Sequence, residues 1–377
     1  MAKKRSYGLG TARQRSNGSY EVRVMIGGKQ KSFCGKTQKE ARMKAEQAKS
    51  DYTNGIYIVD TKMTLAQWLA VWQAEFCSNC ASSTRKRYEE HIRLRLQPLL
   101  GDKSLVKLST LDVQRMCNHM KEELKLAPKT VKNTHGVLHK ALGKAVELGY
   151  MKRNVSEGCE LSPVAKTEML VLSDKQVRVF LDAASGDQYR DVFYVAVNTG
   201  MRENEILGLS WSQVDFEKQT ICINQQLVRG SKKQGAAYRI DVPKHHKVRT
   251  IKVMPKVMAC LREVRKKQLE KRLRMGNGWQ NVNDLVFTHA DGKNYCDAVV
   301  RKHFKKIAKG MGMPKLRVHD LRHTFATLAL QGGVDYKTLS NTLGHSDVAF
   351  TMNQYAHVSE AMRDNMIAKL EVVLGAN

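Results

Sequence analysis

Hydrophobic positions change period along the chain, and the changes mark its segments. Tyr20, Val22, Val24 and Ile26 alternate with Glu21, Arg23 and Met25, a period of two that predicts a strand with one buried face. Gly27-Gly28 supplies a hairpin turn, and Lys29 to Cys34 the returning strand. Thr37 with Glu40 forms a capping box, so a helix should follow and lay Ala41, Ala45, Ala48 and Tyr52 over the sheet. A second box, Thr64 with Gln67, opens a run at helical spacing, with Leu65, Trp68, Leu69 and Trp72 as its buried stripe. Tyr88, Ile92, Leu96 and Leu99 line another helix beginning near Thr84. Two more are expected near 110–125 and 128–148. The latter has Pro128 in its first turn, Val131, Leu138, Ala141, Leu142 and Ala145 inside, and Gly149 as its stop. Residues 154–168, with Gly158 and Pro163 and no periodicity, read as a linker. Ser173 and Gln176 cap the next helix, which carries Val177, Phe180 and Leu181; strands are expected at 220–224 and 238–242.

The fold class expected from this pattern is α+β and multidomain. Residues 1–60 form a small β-sheet-plus-helix module, 61–157 an all-helical domain, and 165–377 a mixed, mainly helical domain with a small antiparallel sheet. A chain of 377 residues is too long for one ordinary core. Charge then narrows the partner. Lys and Arg number 64 against 36 Asp and Glu, a net +28 that would repel itself unless a polyanion covered it. Nucleic acid is the expected partner. A membrane surface is disfavoured, because no long apolar run or signal-peptide pattern appears.

Residues 1–60 hold thirteen Lys and Arg against five Asp and Glu, and the module's basic outer face makes Arg23 and Lys29 candidates for DNA contact. Arg85, Lys86 and Arg87 open a helix where they can lie beside a phosphate backbone. Lys129, Lys132, Lys140 and Lys144 form either a second such surface or a plainly solvated face. Of the eight cysteines only Cys77 and Cys80 form a CxxC, and a closed zinc site usually needs four ligands. Reduced thiols and no metal are expected.

The candidate chemistry lies in four stretches of the C-terminal half. In His319-Asp-Leu-Arg322-His323, Leu321, Phe325 and Leu328 mark the core side of a helix, and the two imidazoles and the guanidinium share the other side. Arginine offers a planar fork to two phosphate oxygens, and histidine moves protons near neutral pH. Arg202 follows the break at Thr199-Gly200 and opens a helix, where amides already favour an anion. Glu205, one turn on, either orients a basic neighbour or makes a surface pair with Arg202. Lys244 falls where a strand meets a turn and can donate a proton to a leaving alkoxide, with Lys247 and Lys252 as competitors. His345 follows a glycine turn, and Tyr355 stands ten residues on. A phenol is a poor nucleophile until a base or nearby cations favour the phenolate. Spacing alone does not separate Tyr355 from the other eleven tyrosines.

Together the four stretches resemble the tyrosine recombinase, or phage integrase, family: TGxR, the hairpin lysine, HxLRH, LGH and a late tyrosine stand in the family's order. The ending GHSD…TMNQYAHV and the basic N-terminal module are most similar to integrases of conjugative transposons and temperate phages of Gram-positive bacteria. The resemblance implies that Arg202, Lys244, His319, Arg322 and His345 surround the scissile phosphate, that Glu205 supports them, and that Tyr355 attacks. His323 matches the last histidine of HxLRH, a supporting position. His245 stands after Lys244 where relatives often have threonine, a departure that bears on the lysine's role. The resemblance further implies a homotetramer on two duplexes. The helical and catalytic domains would grip core sites and the first module separate arm sites, with a directionality factor as a possible partner and no cofactor. It also places the protein in the bacterial cytoplasm, on the nucleoid. The amphipathic stripe Met362, Met366, Leu370, Val373 and Leu374 would pass to a neighbouring subunit. Competing readings are a DNA-binding regulator without catalysis, a topoisomerase-like enzyme and a metal-dependent nuclease; the last would need a carboxylate cluster.

Overall fold

The structure, a computed structural model, describes residues 12–26, 28–53, 62–165, 169–230, 238–243, 248–345 and 347–355. It is mixed, mainly helical, with small antiparallel sheets, and its residues divide into two compact units, 1–166 and 167–377.

In the first unit, β1 (Ala12–Gln14), β2 (Tyr20–Ile26) and β3 (Lys29–Gly35) form an antiparallel sheet in that order, with Val22 opposite Phe33. The alternation in β2 works as expected: Val22, Val24 and Ile26 are buried and meet Ala41 and Ala45 of α1 (Gln38–Thr53). Tyr52 departs from expectation, since it remains 42% exposed near the helix end. β1 was not foreseen, because three residues are too few to show a period. It brings up Arg15, which with Arg23 and Ser32 satisfies the buried Glu21 carboxylate.

The helical part of this unit follows the apolar stripes closely. Both halves of the Thr64–Gln67 capping box are made at the start of α2 (Leu65–Phe76), and all four stripe residues are buried. α3 (Ser82–His91) runs into a π turn over Ile92–Leu96 and then α4 (Gln97–Leu100). Pro98 has no N–H for the helical ladder, and a wider turn absorbs the gap. Leu99 packs half-buried against the core as expected, and Leu100 beside it is buried as well. α5 (Thr110–Glu122) and α6 (Pro128–Glu147) complete the core. The expected linker is corrected in its first half. Asn154, Val155 and Ser156 are buried, and Asn154 donates to the His139 carbonyl at 2.9 Å. Trp68 is fully buried, and its Nε1 donates to the Ala141 carbonyl at 2.9 Å. Trp68→Phe should therefore lower unfolding free energy by about 1–3 kcal/mol, by losing one buried hydrogen bond and some packing. Chemical denaturation measures this; an unchanged midpoint would count against the bond's contribution.

The second unit begins with a segment whose Leu172 N–H donates to Thr324 Oγ1 at 3.0 Å. The expected Ser173–Gln176 box then opens α7 (Asp174–Ala183). α8 (Arg190–Thr199) leads through a left-handed Gly200 into α9 (Glu203–Leu207). β4 (Val214–Asp215), β5 (Thr220–Ile223) and β8 (Arg249–Lys252) make one sheet, while β6 (Gln226–Arg229) pairs with β7 (Tyr238–Asp241). α10 (Pro255–Met275), α11 (Asp297–Gly310), α12 (Val318–Gln331), α13 (Tyr336–Leu343) and α14 (Val348–Gln354) follow. Phe180, Phe193 and Phe304 pack together in the core with tilted and edge-to-face rings. A smaller cluster of Ala326, Leu330, Leu339 and Leu343 packs around Tyr355. No helix among the described residues is long and apolar enough to cross a membrane.

Candidate active site

Three helix ends meet around two guanidinium groups. α12 starts sharply because Asp320, buried, accepts from the backbone N–H and guanidinium of Arg317. That start puts Arg322 in the second turn, 3% exposed. Its Nη1 donates to the Gly200 carbonyl and its Nη2 to the Leu343 carbonyl, both at 2.7 Å. Each Nη carries another N–H, so the fork keeps donors for a ligand. Gly200 suits this junction: φ is +64°, and a Cβ would come within 2.4 Å of Phe325. Burial first, and the charge of Arg202 second, lower the Arg322 pKa to about 9. It remains cationic at neutral pH. On the polar side of α12, Arg322 and His323 are buried, and only His319, in the first turn, reaches the exposed rim.

Arg202 caps α9, its Nη1 2.8 Å from Glu205 Oε1 and its Nη2 3.1 Å from the Gly344 carbonyl. Glu205 also accepts from the Arg202 backbone N–H at 2.9 Å. The two readings of Glu205 therefore merge: the pair with Arg202 exists, but the carboxylate is 1% exposed. Burial alone would raise its pKa. Hydrogen bonds and charge from Arg249, and the charge of Arg202, outweigh it and hold the carboxyl at about 2.

Tyr355 ends α14 and is 1% exposed. Its Oη lies 2.8 Å from His323 Nδ1, a hydrogen bond that either group can donate. Burial pushes the phenol up to about 12 against the pull of Arg322. His323 touches His319 edge to face at 4.9 Å between ring centroids. His345 follows Gly344 and lies 2.7 Å from Thr351 Oγ1 through Nδ1. Burial first, then neighbouring charge, brings His323 and His345 to about 4. Both rings are neutral near pH 7 and hold one N–H each. His319 sits at the exposed rim, its pKa lowered by desolvation and then by Arg322.

Arg202, Glu205, His319, Arg322, His323, His345 and Tyr355 are thus gathered at one place, from residues up to 153 positions apart (355 − 202). Lys244 and Lys247 lie outside the described residues; Lys252, the third candidate, is exposed at the end of β8. The amphipathic stripe from Met362 also lies outside. The residue missed by the sequence reading is Arg249, whose side chain is 8% exposed and forks onto Glu205. Its only signal in the sequence is a basic residue leading an alternating strand, in a stretch that also holds Lys244, Lys247 and Lys252. Of the DNA-contact candidates, Arg23 is 53% exposed and pairs with Glu21, and Arg85, Lys86, Arg87, Lys129 and Lys132 are exposed. The Lys29 side chain is outside the described set. All eight cysteines are free. Among the described residues no group of His, Cys, Asp and Glu is placed to hold a metal ion.

Comparison with known proteins gives the same class. The phage integrase family model matches residues 171–362, and the phage integrase N-terminal SAM-like domain matches 64–121. A tyrosine recombinase XerC-like protein of Caldanaerobacter subterraneus subsp. tengcongensis is 31% identical, over 93% of this chain and 95% of its own. The transposase of transposon Tn916 from Enterococcus faecalis is 25% identical over 84% and 80%. Among solved structures, the Tn1549 transposon integrase in complex with a circular intermediate DNA superposes with a TM-score of 0.68 at 26% identity, over 81% of this chain and 99% of that one. A λ integrase tetramer bound to a Holliday junction, 19% identical, shares the fold at a TM-score of 0.56 over 93% and 96%. Fold and relatives together define a site-specific DNA strand transferase. The chain belongs to the phage integrase family of tyrosine recombinases.

Proposed function

We propose that the protein integrates and excises a mobile element, a conjugative transposon or prophage, with Tyr355 as the nucleophile. Tyr355 Oη gives up its proton to a neighbouring base, His323 Nδ1 being its partner at 2.8 Å, as it attacks the scissile phosphorus; the bond to the 5′ oxygen breaks, so the tyrosine becomes joined to the 3′ phosphate. Lys244 protonates the departing 5′ oxygen. Arg202 and Arg322 take the two non-bridging oxygens, with His319 and His345 as further donors placed before charge develops. Glu205 and His323 support them. Attack by a partner strand's 5′ hydroxyl reverses the step and exchanges strands, with the bond energy kept and no cofactor consumed. The observation that carries this reading is the gathering of both guanidinium groups and the Tyr355–His323 pair at one place. A duplex nicked beside the core site tests it, because the cleaved fragment diffuses away and leaves protein covalently on DNA. Trapping should persist in EDTA; a strict requirement for magnesium would restore the metal-dependent reading.

In the proposed assembly four copies hold two duplexes. Residues 61–157 and 165–377 grip the core site, with Arg85, Lys86, Arg87, Lys129 and Lys132 as backbone contacts, and residues 1–60 bind arm sites through Arg23 and Lys29. Two solved relatives support this architecture: an integrase in complex with a circular intermediate DNA and a λ integrase tetramer bound to a Holliday junction. The cytoplasm, on the nucleoid, is the proposed location, and a directionality factor the proposed further partner. Deleting residues 1–60 should spare core-site trapping and abolish arm-site protection in footprints. Unchanged protection at both would remove the separate arm role.

A further inference from the structure

One buried side chain touches the supports of both Arg202 and His345. Arg249 opens β8, opposite Ile223 on β5 and on the strand that follows Lys244 in sequence. Its Nη1 and Nη2 donate to Glu205 Oε1 and Oε2 at 3.0 and 2.6 Å, a two-point contact that a single ammonium cannot copy. Its Nε donates to the Thr342 carbonyl at 2.8 Å, in the last turn of α13. The adjoining turn is fitted to this group: Gly344 has φ +70°, and a Cβ there would come within 2.8 Å of Arg249 Nη1. One planar guanidinium therefore joins β8, the start of α9 and the end of α13.

We propose that Arg249 is a positioning residue for strand cleavage, anchoring the Glu205 carboxylate so that it aims Arg202, and fixing the turn that carries His345. The inference rests on the reading above, in which Arg202 and His345 hold the phosphate.

Glu205 needs this partner because it is 1% exposed and Arg202, 23% exposed, also reaches out to the Gly344 carbonyl. The charged groups facing Glu205 are Arg202 at its own helix start, Arg249 from β8 and Arg322 from α12. The His345 ring, neutral near pH 7, lies close to these arginines from the turn after α13. Arg249 supplies the strongest opposition to the effect of burial, ahead of Arg202. Without it the carboxyl takes up a proton at higher pH. A protonated Glu205 loses its ion pair with Arg202.

Trapping on the nicked duplex, in single turnover and against pH, tests this with Arg249→Met, Arg249→Lys, Glu205→Gln and the Arg249→Met/Glu205→Gln double variant. Thermal unfolding and DNA binding are measured on each. Arg249→Met should cleave at least about tenfold slower with near-normal binding, and its rate should acquire an acid limb in roughly the pH 5–7 range that the wild type lacks. Glu205→Gln, which imitates the protonated acid, should be slow without that limb. The double variant should be slower than Glu205→Gln by clearly less than the full Arg249→Met loss, because the two changes share one carboxylate and only the hold on the Thr342 carbonyl is lost in addition. If Arg249→Met does not fold, Arg249→Lys carries the test with a smaller limb in the same direction. Losses that multiply in the double variant, or an unshifted pH profile, overturn the proposal while a trapping wild type leaves the recombinase reading standing. A wild type that traps no DNA sinks that reading, and the role of Arg249 with it.

Discussion

Tyr355→Phe is expected to abolish covalent trapping of DNA and to leave binding close to normal. The substitution removes one oxygen, the atom held 2.8 Å from His323 Nδ1, and keeps the ring that Leu339 and Leu343 surround. Loss of that hydrogen bond should cost about 1 kcal/mol of stability, too little to unfold a domain of this size. The loss of reaction should be complete, because a phenylalanine ring has no oxygen with which to attack phosphorus. With its pKa pushed up to about 12, the phenol is protonated in the free protein. In the proposed reaction its activation therefore falls to the DNA-bound state, where a base takes the proton as the oxygen attacks. Labelled DNA resolved with the Phe variant on a denaturing gel would overturn the assignment of Tyr355.

Arg322→Lys should be the second most damaging change. Arg322 spans two carbonyls, Gly200 and Leu343, each at 2.7 Å, from opposite arms of one fork. A lysine ammonium is a single point. It can meet one carbonyl or the phosphate, and whichever it leaves is a buried polar group without its partner. Cleavage on the nicked duplex should fall by more than about tenfold, equivalent to roughly 1.4 kcal/mol of transition-state stabilisation. Arg202→Lys should follow it, because Arg202 also divides its fork between Glu205 and Gly344. Rates within tenfold of wild type for both variants would dismiss the two-arginine clamp.

The contrast between α2 and β8 shows what the sequence could reveal. Leu65, Trp68, Leu69 and Trp72 repeat at helical spacing behind a complete capping box, so local pattern and tertiary burial agree. Arg249 has no such agreement. Its importance arises from Glu205, 44 residues earlier, and from Thr342, 93 residues later, and no period links those positions. The motifs placed Arg202, Glu205, Arg322 and Tyr355 in one neighbourhood through the family's order. They could not show that Asp320, Arg322 and His323 of α12 are buried, since a helix face bearing His, Asp and Arg ordinarily meets water. The π turn over Ile92–Leu96 has a local cause instead: Pro98 is legible in the sequence, but not whether the helix ends there or widens.

The carbonyls that hold the arginines have a consequence for how such an enzyme can change. Gly200, Leu343 and Gly344 present main-chain oxygens to Arg322 and Arg202, and every amino acid carries that oxygen. Mutation of a side chain along α8 or α13 alters packing, yet it cannot delete these acceptors. The setting of the two guanidinium groups is thereby insulated from sequence drift, provided the helix ends stay where they are. Surfaces that read particular DNA sequences can then diversify around a fixed chemical centre. A mobile element can acquire a new insertion site without having to reinvent how its strands are cut.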